Sequence, residues 1–331
     1  MKSLVKNLVE TSAPSGFEKA VRDLVLLEAG SAADSQHIDA LGNLVLRKGS
    51  RSAQGKRIML AAHMDEIGVM ASFIDEKGFI RFTNLGGVFP IHCIGSRVKF
   101  LNGVEGVIGM EKLDKPGTVP GLTQMFIDVG AGSRADCPIK IGDAAVFERP
   151  FTSMGDQWVA KSMDDRIGVA ILIETLKQLK ETPHEVHFVF SVQEEVGTRG
   201  ATTSAYDIDP DLGLSVDVTR TGDTPKGITM EVALGKGPAI KVRDSGMIAD
   251  PRLVQALSET AEKANIPYQL EVLEAGSTDA RAIQLARSGV PSGCVSIPCR
   301  YIHSPSEMVS ENDVKNTASL LVKFLSEPLS F

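Results

Sequence analysis

The chain has 331 residues, 43% of them hydrophobic and 23% charged, and carries a formal net charge of −7. That length exceeds what one core usually fills, so two domains, or one domain with a large insertion, are expected. The acidic balance gives no electrostatic reason to expect nucleic acid or an anionic membrane as partner, and no apolar stretch approaches the length needed to cross a bilayer.

The four cysteines, Cys93, Cys137, Cys294 and Cys299, form no C-x-x-C pair and are too sparse for a disulfide scaffold. Reduced thiols in a cytoplasmic protein are the expectation. Lys6 and Asn7 interrupt the short apolar segment at the N-terminus, which therefore lacks the core of a secretion signal.

Ser15-Gly16-Phe17-Glu18 has the S-x-x-E form of a capping box, and Val21, Leu24, Val25 and Leu27 follow at helical spacing. The pattern predicts a first helix over roughly 15–30. Residues 38–46 read as a hairpin turn leading into a strand. The apolar run 57–62 reads as a central strand that delivers His63-Met64-Asp65-Glu66 at its end.

From Ile67 to about Ala160 the apolar segments are short, rich in Val, Ile and Phe, and separated by Gly, Pro and Asn. They fall at 68–73, 79–82, 97–100, 103–110, 125–129 and 144–147, and none carries a sustained helical period. This predicts a small β-barrel, inserted into an α/β domain. Helical patterning returns over 164–180 and is followed by a buried strand at 184–192, which leads into Gln193-Glu194-Glu195-Val196-Gly197 and a glycine-bracketed turn. A strand ending in Ser215-Val216-Asp217-Val218-Thr219 comes next. A helix opens at Asp250-Pro251 and another after Ser277-Thr278-Asp279, then a strand spans 293–297 and a last helix spans about 312–326. Strands alternating with helices predict a mostly parallel sheet covered on both faces, an α/β fold. The expected division is 1–65 with 161–331 as the α/β domain and 66–160 as the insertion.

His63, Asp65, Asp164, Asp165, Glu194, Glu195, Asp217 and His303 fall at predicted strand ends or loop-to-helix junctions in separate segments of one sheet. Such a mix of nitrogen and oxygen donors suits zinc or another divalent ion. In His63-x-Asp65 on an extended segment both side chains share a side, so Asp65 is placed to accept from the imidazole N–H that faces away from the metal. Glu194 and Glu195 diverge if their backbone stays extended, leaving one to bind metal and the other to take a proton from water.

The segments His63-Met64-Asp65-Glu66-Ile67-Gly68, Lys161-Ser162-Met163-Asp164-Asp165-Arg166, Gln193-Glu194-Glu195-Val196-Gly197, Ser215-Val216-Asp217 and Arg300-Tyr301-Ile302-His303-Ser304-Pro305 together resemble the M42 family of dinuclear metallo-aminopeptidases. The tetrahedral TET peptidases and the glutamyl aminopeptidases are members. The resemblance implies a co-catalytic zinc peptidase-like fold and two divalent ions per subunit, Zn2+ or alternatively Co2+. It implies Asp164 as the bridging ligand, joined to Asp165 by a cis peptide bond. His63 and Asp217 complete one ion and Glu195 and His303 the other; Glu194 is general base and acid, and Asp65 supports His63. It further implies short peptides as substrates and 66–160 as a dimerisation domain, with the dimer a building block for a tetrahedral dodecamer. Ser277 and Cys299 depart from the family pattern, and neither is an implied ligand. The competing readings are a related metal-dependent deacylase or carboxypeptidase, and a glycoside hydrolase built on paired carboxylates.

Overall fold

The computed structural model describes residues 1–115 and 117–329. Among them, one mixed sheet of 11 strands forms the main body and a closed barrel of six strands stands apart from it. The centre of the sheet is parallel: Glu185–Ser191, Arg57–His63, Leu212–Thr219 and Ser292–Arg300 lie side by side in that order. Ser191 is opposite His63, and Ser215 is opposite Ala61. The carboxyl ends of these strands therefore finish level with one another, at the edge where open α/β sheets bind ligands.

The period of two that marks a strand sorts its side chains into two cores. Val186, Phe188 and Phe190 join Leu44, Leu46, Ile58 and Leu60 on one face, under the helices Lys2–Glu10, Met163–Gln178 and Glu311–Ser326. Val189, Val45, Met59 and Ala61 point to the other face, against Arg199–Ile208 and Asp279–Gln284. Met163–Gln178 is buried nearly all round, with Ile167, Val169, Ile171, Leu172 and Ile173 wholly inside. Each such aliphatic side chain contributes about 1.5–3 kcal/mol by leaving water.

Six short apolar segments become the barrel strands Gly68–Ile74, Ile80–Leu85, Met125–Asp128, Glu105–Met110, Arg97–Phe100 and Ala144–Phe147, in that order around the barrel. Their inward residues, among them Val69, Ile80, Phe82, Val98, Phe100, Ile108 and Ile127, make a core of their own. After the barrel, Thr152–Met154 and Gln157–Ala160 form a hairpin that pairs with Glu307–Ser310 in the large sheet.

The N-terminal region departs from its sequence pattern. The first helix is Lys2–Glu10, and the helix expected over 15–30 begins only at Lys19. Ser15 and Glu18 form no capping box. The Ser15 hydroxyl donates to Asp65 Oδ2 at 2.6 Å, and Glu18 Oε1 accepts from the main-chain N–H groups of Gly16 and Gln193. Tertiary partners take both side chains away from the helix end. The glycine-bracketed turn at 197–200 likewise opens a helix, Arg199–Ile208. The strands Ala239–Arg243, Gln269–Val272 and Glu307–Ser310 have no counterpart in the sequence-based reading.

A buried ion cluster closes the base of the barrel. Glu66 accepts from Lys161 Nζ at 2.6 Å, from Arg166 Nη2 at 3.0 Å and from Ala13 N–H at 3.0 Å. Removing one partner of a buried pair strands the others without solvent, which costs about 3–5 kcal/mol. Glu66→Gln should therefore lower the urea midpoint by a corresponding amount. An unchanged midpoint would show that water reaches Lys161 and Arg166.

Candidate metal centre

The segments named from the sequence meet at the carboxyl edge of the parallel strands. His63 ends Arg57–His63, Asp217 lies two residues from the end of Leu212–Thr219, and Asp164 opens Met163–Gln178. Glu194 and Glu195 follow Glu185–Ser191, and His303 follows Ser292–Arg300. The peptide bond between Asp164 and Asp165 is cis.

His63 Nε2 is 3.0 Å from Asp164 Oδ1 and 4.0 Å from Asp217 Oδ1. His303 Nε2 is 3.3 Å from Asp164 Oδ2 and 3.4 Å from Glu195 Oε2. Two groups result, His63 with Asp164 and Asp217, and Asp164 with Glu195 and His303; in each, one ligand atom per residue lies within 4.8 Å of the others. Asp164 turns one oxygen toward each group.

Glu194 and Glu195 do not diverge as an extended backbone would have them. Gln193 has a φ of 55°, and the N–H groups of Gly197 and Thr198 both donate to Glu194 O, so the chain turns sharply. Both carboxylates reach the same site from that turn. Glu195 belongs to the second group, whereas Glu194 belongs to neither and holds its Oε2 3.8 Å from His63 Nε2. The turn is fixed by Asp65, whose Oδ1 accepts from Glu194 N–H at 3.0 Å and whose Oδ2 accepts from Glu195 N–H at 3.2 Å. With its carboxylate so committed, Asp65 meets His63 Nδ1 mainly through its main-chain carbonyl at 3.0 Å; Oδ1 stands at 3.5 Å.

Supporting groups surround these donors; Asp165 was among the sequence candidates, whereas Glu307 and Asp279 were not proposed as site residues. Glu307 accepts from the N–H groups of Asp164 and His303, at 2.9 and 2.7 Å, and so holds two members of the second group together. Asp165 accepts from His63 N–H at 3.3 Å and Gly168 N–H at 3.0 Å. Asp279 accepts from the Ser191 hydroxyl at 2.5 Å. Gly87, from the barrel side, lies so close that a Cβ there would come within 2.4 Å of His303 Nδ1. The Gly86-Gly87 pair was the one available sequence signal for that approach; a carboxylate accepting from main-chain N–H groups leaves none.

The electrostatics of the cluster ask for a cation. Burial lifts the Glu194 and Asp217 carboxyls well above the carboxylate range, and His63 opposes this less than burial and the surrounding carboxylates favour it. Burial would lift Asp164 as well, but hydrogen bonds from His303 and His63 hold it low. Burial disfavours charge on His303, yet Asp164 and Glu195 outweigh it and push the imidazole up to about 11. Glu195 Oε1 is buried with no hydrogen-bond partner among the described residues. An orphaned carboxylate oxygen, crowded carboxylates and two imidazole nitrogens are the donor set a divalent ion would satisfy. These residues line a cavity of about 300 Å³, together with Lys241, Ile302 and the loop 275–278.

A family model described as M42 glutamyl aminopeptidase matches residues 42–320. The chain is 36% identical over 347 aligned positions to the lysyl aminopeptidase of Pyrococcus furiosus, covering 99% of this chain and 98% of that protein. Its structure superposes with a TM-score of 0.94 on an aminopeptidase from the archaeon Desulfurococcus kamchatkensis, at 42% identity, covering 98% of this chain and 94% of that one. It is also similar, with a TM-score of 0.90 and 32% identity, to the TET1 peptidase of Pyrococcus horikoshii, a protein that can assemble into a tetrahedron or a large octahedral shell. That likeness covers 98% of this chain and 99% of the other.

A divalent ion that binds the folded cluster but not the unfolded chain should, at a hundred times its dissociation constant, stabilise the fold by about 2.7 kcal/mol. Thermal melts of chelator-treated protein with and without added zinc or cobalt read this directly. The rise in Tm should vanish in Asp164→Ala, which removes the carboxylate both groups share, and a rise that survives there would move the ion elsewhere.

Proposed function

Since the chain belongs to the M42 aminopeptidase family, a family of peptidases, we propose that it removes the N-terminal residue of short peptides using two divalent ions, zinc or alternatively cobalt. The observation that carries this reading is the pair of donor groups sharing Asp164 while Glu194 stays outside both. Asp164 would be the ligand common to both ions, with His63 and Asp217 holding one and Glu195 and His303 the other. When bound, the ions supply Lewis-acid chemistry, lowering the pKa of a water and polarising the scissile carbonyl.

The chain's own residues do the rest. Glu194 accepts the proton of the attacking water and passes it to the amine that leaves. Its buried setting, which already favours the protonated carboxyl, suits it to give the proton back as well as take it. Asp65 keeps Glu194 and Glu195 in register through their N–H groups, so the base and a ligand move as one unit. Surplus carboxylate charge attracts the free amino group of the substrate, which makes an unblocked N-terminus part of recognition.

We further read the protein as a homo-oligomer assembled through dimers in which the 66–160 segment supplies the contact. The shell-forming TET1 relative supports this, as does a barrel that carries its own core. The four unpaired cysteines are in keeping with a cytoplasmic setting. Glu194 standing apart from both donor groups favours a base over the flanking carboxylate pair of a glycosidase.

Free and N-acetylated leucyl, glutamyl and lysyl p-nitroanilides, assayed before chelation, after it and after metal is restored, test the reaction. Cleavage of free amines only, lost with the metal and regained with it, is the expected result; cleavage of blocked substrates alone would move the protein to the deacylases. Glu194→Gln should lower kcat by about 10²–10⁴ while metal content, read by atomic absorption, stays at the wild-type level. A variant that loses its metal along with its activity would make Glu194 a ligand instead.

A further inference from the structure

A second cavity, of about 450 Å³, adjoins the metal-centre cavity and shares Arg220 and Ile302 with it. The two differ sharply in charge. Glu194, Glu195, Asp164 and Asp217 line the first, whereas the second is walled by Arg220, Lys226, His92 and Arg300 with no carboxylate among its lining residues. Arg300 is already committed, since its Nε and Nη2 donate to Asp223 at 3.0 and 2.7 Å. Among the described residues, Arg220 and Lys226 have no ion-pair or hydrogen-bond partner, and both are exposed.

The remaining wall is apolar and reaches the reaction centre. Phe89, Ile228 and Tyr301 stand 41%, 45% and 54% exposed, and the Phe89 ring lies 5.9 Å from the His303 ring. The second cavity thus adjoins a residue of the metal centre, shares Arg220 with the first cavity, and among the described residues leaves Arg220 and Lys226 without an acidic partner. A short peptide is a zwitterion with the same polarity: its amine suits the carboxylate end, and its C-terminal carboxylate suits the other. Two leaving residues extend about 7 Å, so the carboxylate of a tripeptide lies one short strand away from the scissile bond.

We propose that this cavity binds the leaving portion of the substrate, with Arg220 and Lys226 pairing with the C-terminal carboxylate of a di- or tripeptide. The proposal rests on the aminopeptidase reading for the direction of the chain, while the charge pattern of the cavity is independent of it. The apolar rim holds the side chain after the scissile bond. The cation contacts are lost as peptides lengthen past the groove, so shortness of the substrate is selected by charge.

The test compares Leu-Gly-Gly with Leu-Gly-Gly amide on the metal-loaded enzyme and on the double variant Arg220→Gln/Lys226→Gln. A charge-assisted pair predicts about a tenfold preference in kcat/KM for the free acid. The preference should be carried by KM, weaken in 0.5 M salt by screening, and fall to about one in the double variant. No preference in the wild type, or an undiminished one in the variant, overturns the proposal. So does Leu-Asp-Gly amide outrunning Leu-Gly-Gly, which would give the cations to a side-chain carboxylate. Leucine p-nitroanilide, which has no carboxylate, reports whether each protein turns over at all. If nothing is cleaved, the aminopeptidase reading fails, and NMR titration with the two tripeptides then reads the groove alone. Acid about tenfold tighter than amide sustains it, and equal affinities reject it.

Discussion

The structure depends on one buried guanidinium. Each of the five N–H donors of Arg166 meets an acceptor: Met64 O at 2.6 Å, Leu8 O at 2.6 Å, Thr11 O at 2.8 Å, Ala13 O at 3.2 Å and Glu66 Oε1 at 3.0 Å. A planar fork that is fully satisfied has one orientation, and an unsatisfied buried donor costs 1–3 kcal/mol, on the order of a tenth of a domain's net stability. Arg166 stands two residues after Asp164, and Met64 stands one after His63. The guanidinium therefore sets the spacing between two strands of sequence that hold the first donor group, and it docks the N-terminal helix as a by-product. A lysine could not do this, because three donors on a point charge cannot span four separate carbonyls.

The parts of the fold that the sequence made legible are those where local pattern and tertiary environment agree. The barrel segments alternate apolar and polar residues over short runs between Gly, Pro and Asn, and each run became a strand. The helix after Asp250-Pro251 begins with the Asp250 carboxylate accepting from Arg252 N–H, the cap its composition announces. Agreement failed where a side chain had a better offer from far away. Ser15 and Glu18 look like a capping box, but an Asp65 oxygen and the Gln193 N–H are stronger partners than a local helix end, and the helix starts late. Glycines at 197 and 200 look like a turn, yet Gly200 is where a helix can press against Asn43 and Val192 without a Cβ in the way.

The site shows the same division. His63, Asp164, Glu195, Asp217 and His303 were legible because chemistry demands those residue types at strand ends, whatever the detail of the backbone. Of the residues that position them, Asp65 and Asp165 were candidates but their hold on main-chain N–H groups was not legible, and Glu307 was missed altogether, because every residue but proline has such an N–H. The geometry of Glu194 and Glu195 illustrates the limit. Their adjacency suggested opposite directions, and only the Gln193 turn, held by Asp65, brings both inward while giving them different neighbours.

Where the barrel joins the sheet, the ion cluster acquires a second purpose. The chain leaves the sheet after His63 and rejoins it in the hairpin 152–160, and Glu66 and Lys161 at the two ends of the excursion meet, Oε2 to Nζ, at 2.6 Å. The ends of a long insertion are thereby closed by a contact that the insertion itself does not make. Loop-closure entropy grows only as the logarithm of length, so most of the cost of carrying the barrel is met once, at this neck. With Arg166 sharing the same carboxylate, the neck and the donor group at His63 and Asp164 are one rigid unit. The barrel touches the metal centre through the close approach of Gly86 and Gly87 to Glu195 and His303. Its sequence is thus constrained at that corner and at the neck as well as in its own core.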